Sequence, residues 1–443
     1  MSRLNELIKE LCPEGVEYKT LGQIGKFYGG ITGKSKKDFE NGNAVFITYK
    51  NVYLNPALDI NPLDRVKIAI GEKQKTLKYG DVIFTGSSET LDECGFSSVV
   101  TQKLRENLYL NSFCFFFRFD NLSEFEPNFF KHLFRSNELR YQIRKTASGV
   151  TRFNVSKDKM TKVVIPVPPL EVQREIARVL DSFTLLTAEL TAELTARKKQ
   201  YEFYRNKLLS FDNKEGENSE FVWKTLGQLG KWSGGKTPSM AENSYWEGGT
   251  IPWISSKDMK NSTLLDTGDH ITEKAIREAS MTVYPRNSIA VVIRSGILKH
   301  TFPVAYVPFE TTINQDIKML VVDEDILPRY AFHLIQGKGK DILVKTKKQG
   351  GTVDSLDFQK VLNYRVPVPS LAVQERLVKV LDNFDTICTD LSIGLPAEIE
   401  ARQKQYEYYR DLLLTFAEKG NTVLTDGRTD GRTDRSIGRI RCN

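Results

Sequence analysis

The stretch YKTLGQIGKF at Tyr18–Phe27 returns as WKTLGQLGKW at Trp223–Trp232, 205 residues downstream, and Gly29 and Gly30 are answered by Gly234 and Gly235. Self-similarity at so long a period marks a duplicated architecture. A second echo closes each copy. VPPLEVQREIARVLDSF (Val167–Phe183) matches VPSLAVQERLVKVLDNF (Val368–Phe384) at a displacement of 201, and ARKKQYEFYRNKLLSF (Ala196–Phe211) matches ARQKQYEYYRDLLLTF (Ala401–Phe416) at 205 again. Between these frames the halves diverge, apart from Gly149-x-Thr151 and Gly350-x-Thr352 ahead of the boundaries at Ile165 and Val366.

The frames are helical by period. In the first, Val172, Ile176, Val179, Phe183, Leu186, Leu190, Leu194, Tyr201, Tyr204, Leu208 and Phe211 follow the alternating four-three spacing of a coiled-coil seam. Pro168 and Pro169 stand just ahead of it, where a missing N–H is harmless. The spacing predicts one helix of about 40 residues, about 60 Å long. The second frame repeats the seam with Val373, Leu377, Val380, Phe384, Ile387, Leu391, Tyr406, Tyr409, Leu413 and Phe416, with Gly394 and Pro396 placed to weaken or kink its middle. The return of the displacement from 201 to 205 makes the first helix four residues shorter in its middle, where TAEL occurs twice (Thr187–Leu194).

The inserts read as mixed α and β. Asp81–Thr85, Ser112–Phe119 and Ser288–Ser295 have strand composition, whereas Pro127–Lys145 and Pro328–Gln336 read as helices opening at proline. The expected fold class is α+β: two mixed α/β domains held apart by two long helices that pair as an antiparallel coiled coil, in a pseudo-twofold internal repeat. The expected boundaries are an N-terminal helix at 1–16, a first domain at 17–166, a long helix at 167–211 and a polar linker at 212–220. A second domain follows at 221–366, a second long helix at 367–416, and a TDGR-repeating tail at 417–443 whose composition predicts disorder.

Bulk properties narrow the class. The 443 residues exceed one ordinary core, and 63 lysines and arginines against 56 acidic residues give a net charge of +7, which favours a polyanionic partner. Five scattered cysteines, none in a C-x-x-C pair, suggest neither disulfide framework nor zinc cage and fit a reducing cytoplasm. No apolar run reaches the length of a membrane span.

One enzymatic lead stands out. Gly230-KWSG-Gly235-Lys236-Thr237 satisfies the phosphate-loop pattern, and Met319–Glu324 resembles its magnesium-binding partner, so an ATPase is the competing reading. Its context opposes it: no buried apolar strand precedes, Pro238 and Ser239 follow at once, and the first half has Ile31 and Thr32 at the equivalent place. A plain glycine turn, or a turn whose N–H groups and lysine approach a DNA phosphate, fits as well. The four histidines lie far apart without ligand spacing, and neither a G-x-S-x-G elbow nor a G-x-G-x-x-G loop occurs.

Candidate DNA contacts fall in the inserts. In the first these are Gly30, Thr32, Lys34, Ser35 and Lys36 in a basic glycine loop, Lys50, Ser87 after a strand, and Thr151 with Arg152. In the second they are Gly235, Lys236, Thr237, Lys257, Arg294, Gln315, then Lys347, Lys348 and Thr352 at the end of the densest basic stretch. Each taken singly is equally a turn residue or solvated surface.

The frame motifs PLEVQREIARVLDSF from Pro169 and ARQKQYEYYRDLL from Ala401, with the TAEL repeat, resemble the conserved regions of type I restriction–modification specificity subunits over residues 1–416. The resemblance implies two target-recognition domains, each reading one half of a split asymmetric duplex DNA sequence, with no catalytic residue and no cofactor in this chain. It implies two modification subunits that bind S-adenosylmethionine and methylate adenine, and restriction/translocase subunits that use ATP and Mg. Those partners would dock on the outer face of the frame, at Gln173, Arg197, Gln200, Arg205, Gln374, Arg402, Gln405 and Arg410. The tail after Phe416 departs from the family pattern.

Overall fold

The computed structural model describes residues 2–211, 221–348, 353–389 and 393–417. The expected linker, Gly350, Thr352, Leu391 and the tail beyond 417 lie outside the described residues. The chain forms two compact units, Met1–Ala188 with Glu400–Asn443, and Glu189–Ile399. These differ from the boundaries read in the sequence, because each unit takes half of each frame.

The first unit holds a four-stranded antiparallel sheet in the order Gly25–Gly29, Cys114–Phe119, Val82–Thr85, Ser97–Val99. Residues alternate between faces along a strand, so Phe115, Phe117 and Phe119 enter one core with Phe84, while Cys114 and Phe116 enter another with Ile83. Burial on both faces explains the unbroken apolar run that marked this strand in the sequence. A second sheet, Arg65–Val66, Ala44–Ile47, Leu108–Leu110, contains a parallel pair, and Glu17–Thr20 pairs with Val164–Val167.

The second unit repeats each of these sheets. Gly230–Gly234, Ile317–Val322, Ser288–Val292 and Val304–Val307 follow the same order; so do Asp269–Ile271, Ile251–Ile254 and Thr312–Ile313, and Phe221–Thr225 pairs with Arg365–Pro369. The small first-unit sheet Ala147–Ser148, Phe153–Val155, Ser87–Ser88 corresponds to two bridges in the second unit, Lys347 with Leu356 and Arg294 with Ser355. The inserts therefore share a fold that their sequences do not display.

The helix expected over Pro127–Lys145 is two, Pro127–Leu133 and Asn137–Lys145, because Ser136 adopts an extended backbone and its hydroxyl caps the second. Its counterpart, Pro328–Thr346, runs unbroken and is longer than the sequence suggested.

The first frame is one helix, Leu170–Leu208, of 39 residues. The second is Leu371–Thr389 followed by Leu395–Leu413. Gly394 lies just ahead of the later of these helices and Pro396 in its first turn. Within the first unit, Val172, Ile176, Ala177 and Leu180 share a core with Tyr406 and Leu414; within the second, Tyr201 and Leu209 share one with Leu381. The seam of the second frame is in part the expected one, with Leu377 and Phe384 packed against the second unit's core, and in part shifted by one position. Gln374, Leu381, Asp385 and Cys388 are buried, whereas Val380 and Ile387 are exposed.

Candidate nucleic-acid interface

Of the predicted first-insert residues, Gly30, Thr32, Lys34, Ser35, Lys36, Ser87 and Arg152 converge at the strand ends beyond Gly29. Gly30 is needed there for close packing: a Cβ would stand 2.1 Å from the Asn111 carbonyl oxygen. The next N–H, of Ile31, donates to Leu110 O at 2.8 Å, which turns the following loop over the 110–114 corner. Residues Ile31–Lys36 and Asn111–Phe113 then line a cavity of about 600 Å³. Arg152 reaches the same corner, donating from Nη2 to Ser87 Oγ at 3.0 Å and lying 5.6 Å from the Phe113 ring centre. Ser87 is thus buried as an acceptor for Arg152 and is not itself presented to a ligand.

The loop lysines are unlike one another. Lys34 Nζ is 2.6 Å from Glu72, both side chains largely covered, and this bond is the main reason the Glu72 carboxyl is lowered to about 2. Lys34 is therefore a loop staple rather than a free phosphate donor. Lys36, Lys50, Thr32, Ser35, Thr151 and Arg152 remain exposed. Sequence reasoning missed Phe113, an aromatic 59% exposed beside Arg152, and Lys157, which reaches the ring of Phe115 at 5.8 Å. The strand run from Ser112 hid Phe113, since an apolar residue in such a run reads as core.

The second unit builds the same corner from different side chains. A Cβ on Gly235 would stand 1.8 Å from Ile313 O, and Lys236 N donates to that same oxygen at 3.0 Å. Thr237 Oγ1 donates to Gln315 Oε1 at 2.5 Å, and Arg294 Nε to Asp316 Oδ1 at 2.6 Å. Lys347 pairs with Asp354 at 2.8 Å, and Ser295 N donates to Asp354 O. Lys236, Lys257, Arg294, Gln315, Lys347 and Lys348 are exposed.

This geometry removes the phosphate-loop reading. Gly230–Gly234 is a strand paired in register with Lys318–Val322, so residues expected to cradle a phosphate are extended and hydrogen-bonded, and Thr237 opens no helix. Among the described residues no cluster of metal-ligand side chains occurs, and no helix is long and apolar enough to cross a membrane.

The partner set needs one correction. Gln173 and Gln374 are fully buried clamps, not outer-face residues. Gln173 Oε1 accepts Glu126 N at 2.9 Å while its Nε2 donates to Glu124 O and Pro168 O. Gln374 does the same with Leu327 N, Asp325 O and Pro369 O. Arg205 is partly buried and donates to Gln336 Oε1 at 2.5 Å, and Arg410 bonds Asp411 at 3.1 Å. Arg197 is exposed; Gln200, Arg402 and Gln405 are partly so. Two exposed aromatics 205 residues apart, Phe203 at 61% and Tyr408 at 65%, were not anticipated.

Histidines that looked isolated in the sequence are duplicated anchors. His132 Nε2 lies 2.7 Å from Asp181 and Nδ1 2.9 Å from Tyr406 Oη. His333 meets Asp382 at 2.7 Å and Tyr201 Oη at 3.0 Å. Burial lowers both imidazoles against the raising effect of the carboxylates. Burial also pulls Asp181 upward, but hydrogen bonds from His132 and Lys131 outweigh it and hold that carboxyl below its ordinary value.

A family model described as the type I restriction modification DNA specificity domain matches residues 13–197 and again 218–401. The Escherichia coli EcoR124I/EcoR124II type I restriction enzyme specificity subunit is 50% identical over 267 residues, 59% of this chain and 65% of that protein. The match thus spans a little under two thirds of that relative's length. A Haemophilus influenzae protein with a provisional type I specificity-subunit name is 33% identical over 283 residues, 61% of this chain and 68% of its own. Among solved structures, a chain from work on complex assembly and conformational transition of the type I R-M system superposes with a TM-score of 0.61 at 16% identity, covering 91% of this chain and 98% of that one. That likeness is one of fold.

Proposed function

This chain belongs to the type I restriction–modification DNA specificity family, and we propose that it reads duplex DNA through two unlike surfaces, one per unit, each addressing one half of a split asymmetric target. The observation that carries this reading is the duplicated corner. Gly30 and Gly235 each press against a carbonyl at the end of equivalent strands, and the next N–H donates to the matching oxygens of Leu110 and Ile313, yet the side chains beyond them differ: Lys36, Phe113 and Arg152 in one unit, Lys236, Gln315 and Arg294 in the other. One scaffold with two sets of exposed donors suits two different half-sites.

The exposed lysines and arginines fix register on phosphates, while Arg294, Gln315 and Arg152 have the forks and amides that match base edges. The frames set the gap between half-sites, and four residues more or fewer in a helix change its length by about 6 Å, roughly two base pairs. Adenine methylation by two S-adenosylmethionine-dependent modification subunits, and cleavage by ATP- and Mg-dependent restriction/translocase subunits, belong to partners. The duplicated aromatics Phe203 and Tyr408, with Arg197, Gln200, Arg402 and Gln405, supply a repeated docking surface for the two modification subunits.

The test is selection from a random duplex pool by the chain assembled with its modification subunits. Enrichment of two fixed, non-identical blocks separated by a constant unspecified gap supports the reading. A single continuous block, or no enrichment, contradicts it.

A further inference from the structure

We propose that the first unit carries a pocket for a small phosphorylated ligand, formed by Arg135, Arg140, Arg144 and Arg410 around a cavity of about 370 Å³. It shares no residue with the DNA-reading corner.

Two of the four guanidiniums bond only backbone carbonyls among the described residues, which leaves their charge uncompensated and Arg135 Nη1 and Arg140 Nε with no hydrogen-bond partner there. Arg135 donates to the carbonyl oxygens of Ser97 at 2.6 Å, Tyr53 at 3.0 Å and Val52 at 3.3 Å. Arg140 donates to Gly95 O and Cys94 O at 2.7 Å and to Asp92 O at 2.8 Å. Phe96 lies between them, its ring centre 4.7 Å from one guanidinium carbon and 4.4 Å from the other. Among the described residues neither arginine has a carboxylate within ion-pair distance. Burial, then each other's charge for Arg135 and that of Arg144 for Arg140, pulls both down to about 10, the signature of cations held together at a cost.

The other two arginines complete the ring. Arg144 pairs with the Asp92 carboxylate, and Arg410 with Asp411 at 3.1 Å. A phosphate dianion offers several acceptor oxygens in a geometry that planar forks match, and it neutralises the two uncompensated charges at once. The side chains of Asp92 and Glu407 on the wall oppose a continuous polyanion, so size and charge favour a small phosphate ester or free phosphate over a DNA backbone.

The second unit provides an internal comparison. Gln336 stands 201 residues after Arg135, and its Oε1 accepts a hydrogen bond from Arg205, which stands 205 residues before Arg410. There the facing pair is a cation and a neutral acceptor; in the first unit it is two cations. The excess positive charge is confined to one copy of a duplicated site, as expected of a binding feature and not of the scaffold.

Calorimetric titration of the full chain with inorganic phosphate and with pyrophosphate, at fixed ionic strength, tests this. The expected result is saturable binding at one site, weakened about tenfold or more by Arg144→Gln and by Arg135→Gln, unchanged by Arg205→Gln, and not displaced by non-specific duplex DNA. Arg144 bonds only Asp92 among the described residues, so Arg144→Gln keeps the test decisive if Arg135→Gln unfolds the chain. Absence of saturable heat, binding that survives Arg144→Gln, or displacement by duplex DNA would overturn the proposal, and none of these bears on target selection from the duplex pool.

Discussion

His132 Nδ1 lies 2.9 Å from the hydroxyl of Tyr406, 274 positions further along the chain. Asp181, 2.7 Å away on the other ring nitrogen, is a carboxylate that accepts the hydrogen bond of Nε2–H and so leaves Nδ1 to accept from the tyrosine. The second unit closes the same triad with His333, Tyr201 and Asp382. In both, a tyrosine from one frame is locked to a histidine of the insert helix and an aspartate of the other frame, so the triads hold each half-frame in register.

Tyr406→Phe removes a single hydroxyl and strands a buried imidazole nitrogen. Urea unfolding should show a loss of about 1–3 kcal/mol. Tyr201→Phe should lose a similar amount, and the double variant the sum, since the triads share no residue. A loss within about 0.3 kcal/mol of zero for both would contradict the register role.

Acid should weaken the fold through these histidines. Burial, opposed by Asp181 and Asp382, puts both native imidazoles below their ordinary value of 6.5, so the unfolded chain binds the extra protons. The stability they contribute is complete above 6.5 and drains away as pH falls below it. Asp181 and Asp382, lowered from 3.8, add a second loss only below that pH. Melting temperature should fall from about pH 7.5 to about 5.5; a flat or rising profile would exclude the buried neutral pair.

Neighbouring lysines should behave differently on DNA. Lys36→Ala in the assembled complex should lower the salt dependence of binding by about one unit, and Arg152→Ala should cost about 1–3 kcal/mol. Lys34→Ala should leave the salt slope unchanged, because its ammonium is held by Glu72 at 2.6 Å. Equal effects at Lys34 and Lys36, read by fluorescence anisotropy at several salt concentrations, would refute the assignment.

Gly30→Ala and Gly235→Ala place a methyl group 2.1 and 1.8 Å from carbonyl oxygens of Asn111 and Ile313. Each should cost about 1–3 kcal/mol and weaken DNA binding at its own half-site. Gly296→Ala, with nothing within 4 Å of the added carbon, is the control and should be near neutral. Wild-type affinity in both corner variants would show that the close approach has no role in recognition.

Much of the frame was legible because helical period and repetition are local signals. The 39-residue helix and the break beside Gly394 and Pro396 followed from spacing and proline chemistry. Gln173 and Gln374 were misplaced because a polar residue next to a seam reads as outward, and only the loops they clamp, 47 residues away, turn them inward. Their identity across the repeat was the available clue. The shared topology of the inserts was hidden because pairings such as Trp253 with Thr312 join segments that have no sequence echo in the first half. The triads were illegible for the same reason: His132 and Tyr406 meet only through the folded chain.

The most direct measurement of the central claim is the genome-wide position of methylated adenines in a cell expressing this chain with its modification subunits. Two unlike reading surfaces predict one split motif, with different half-sites, a fixed gap, and one half-site relaxed by Arg294→Ala and the other by Arg152→Ala. Methylation at a continuous or palindromic motif, or a split motif in which both variants relax the same half, would contradict it.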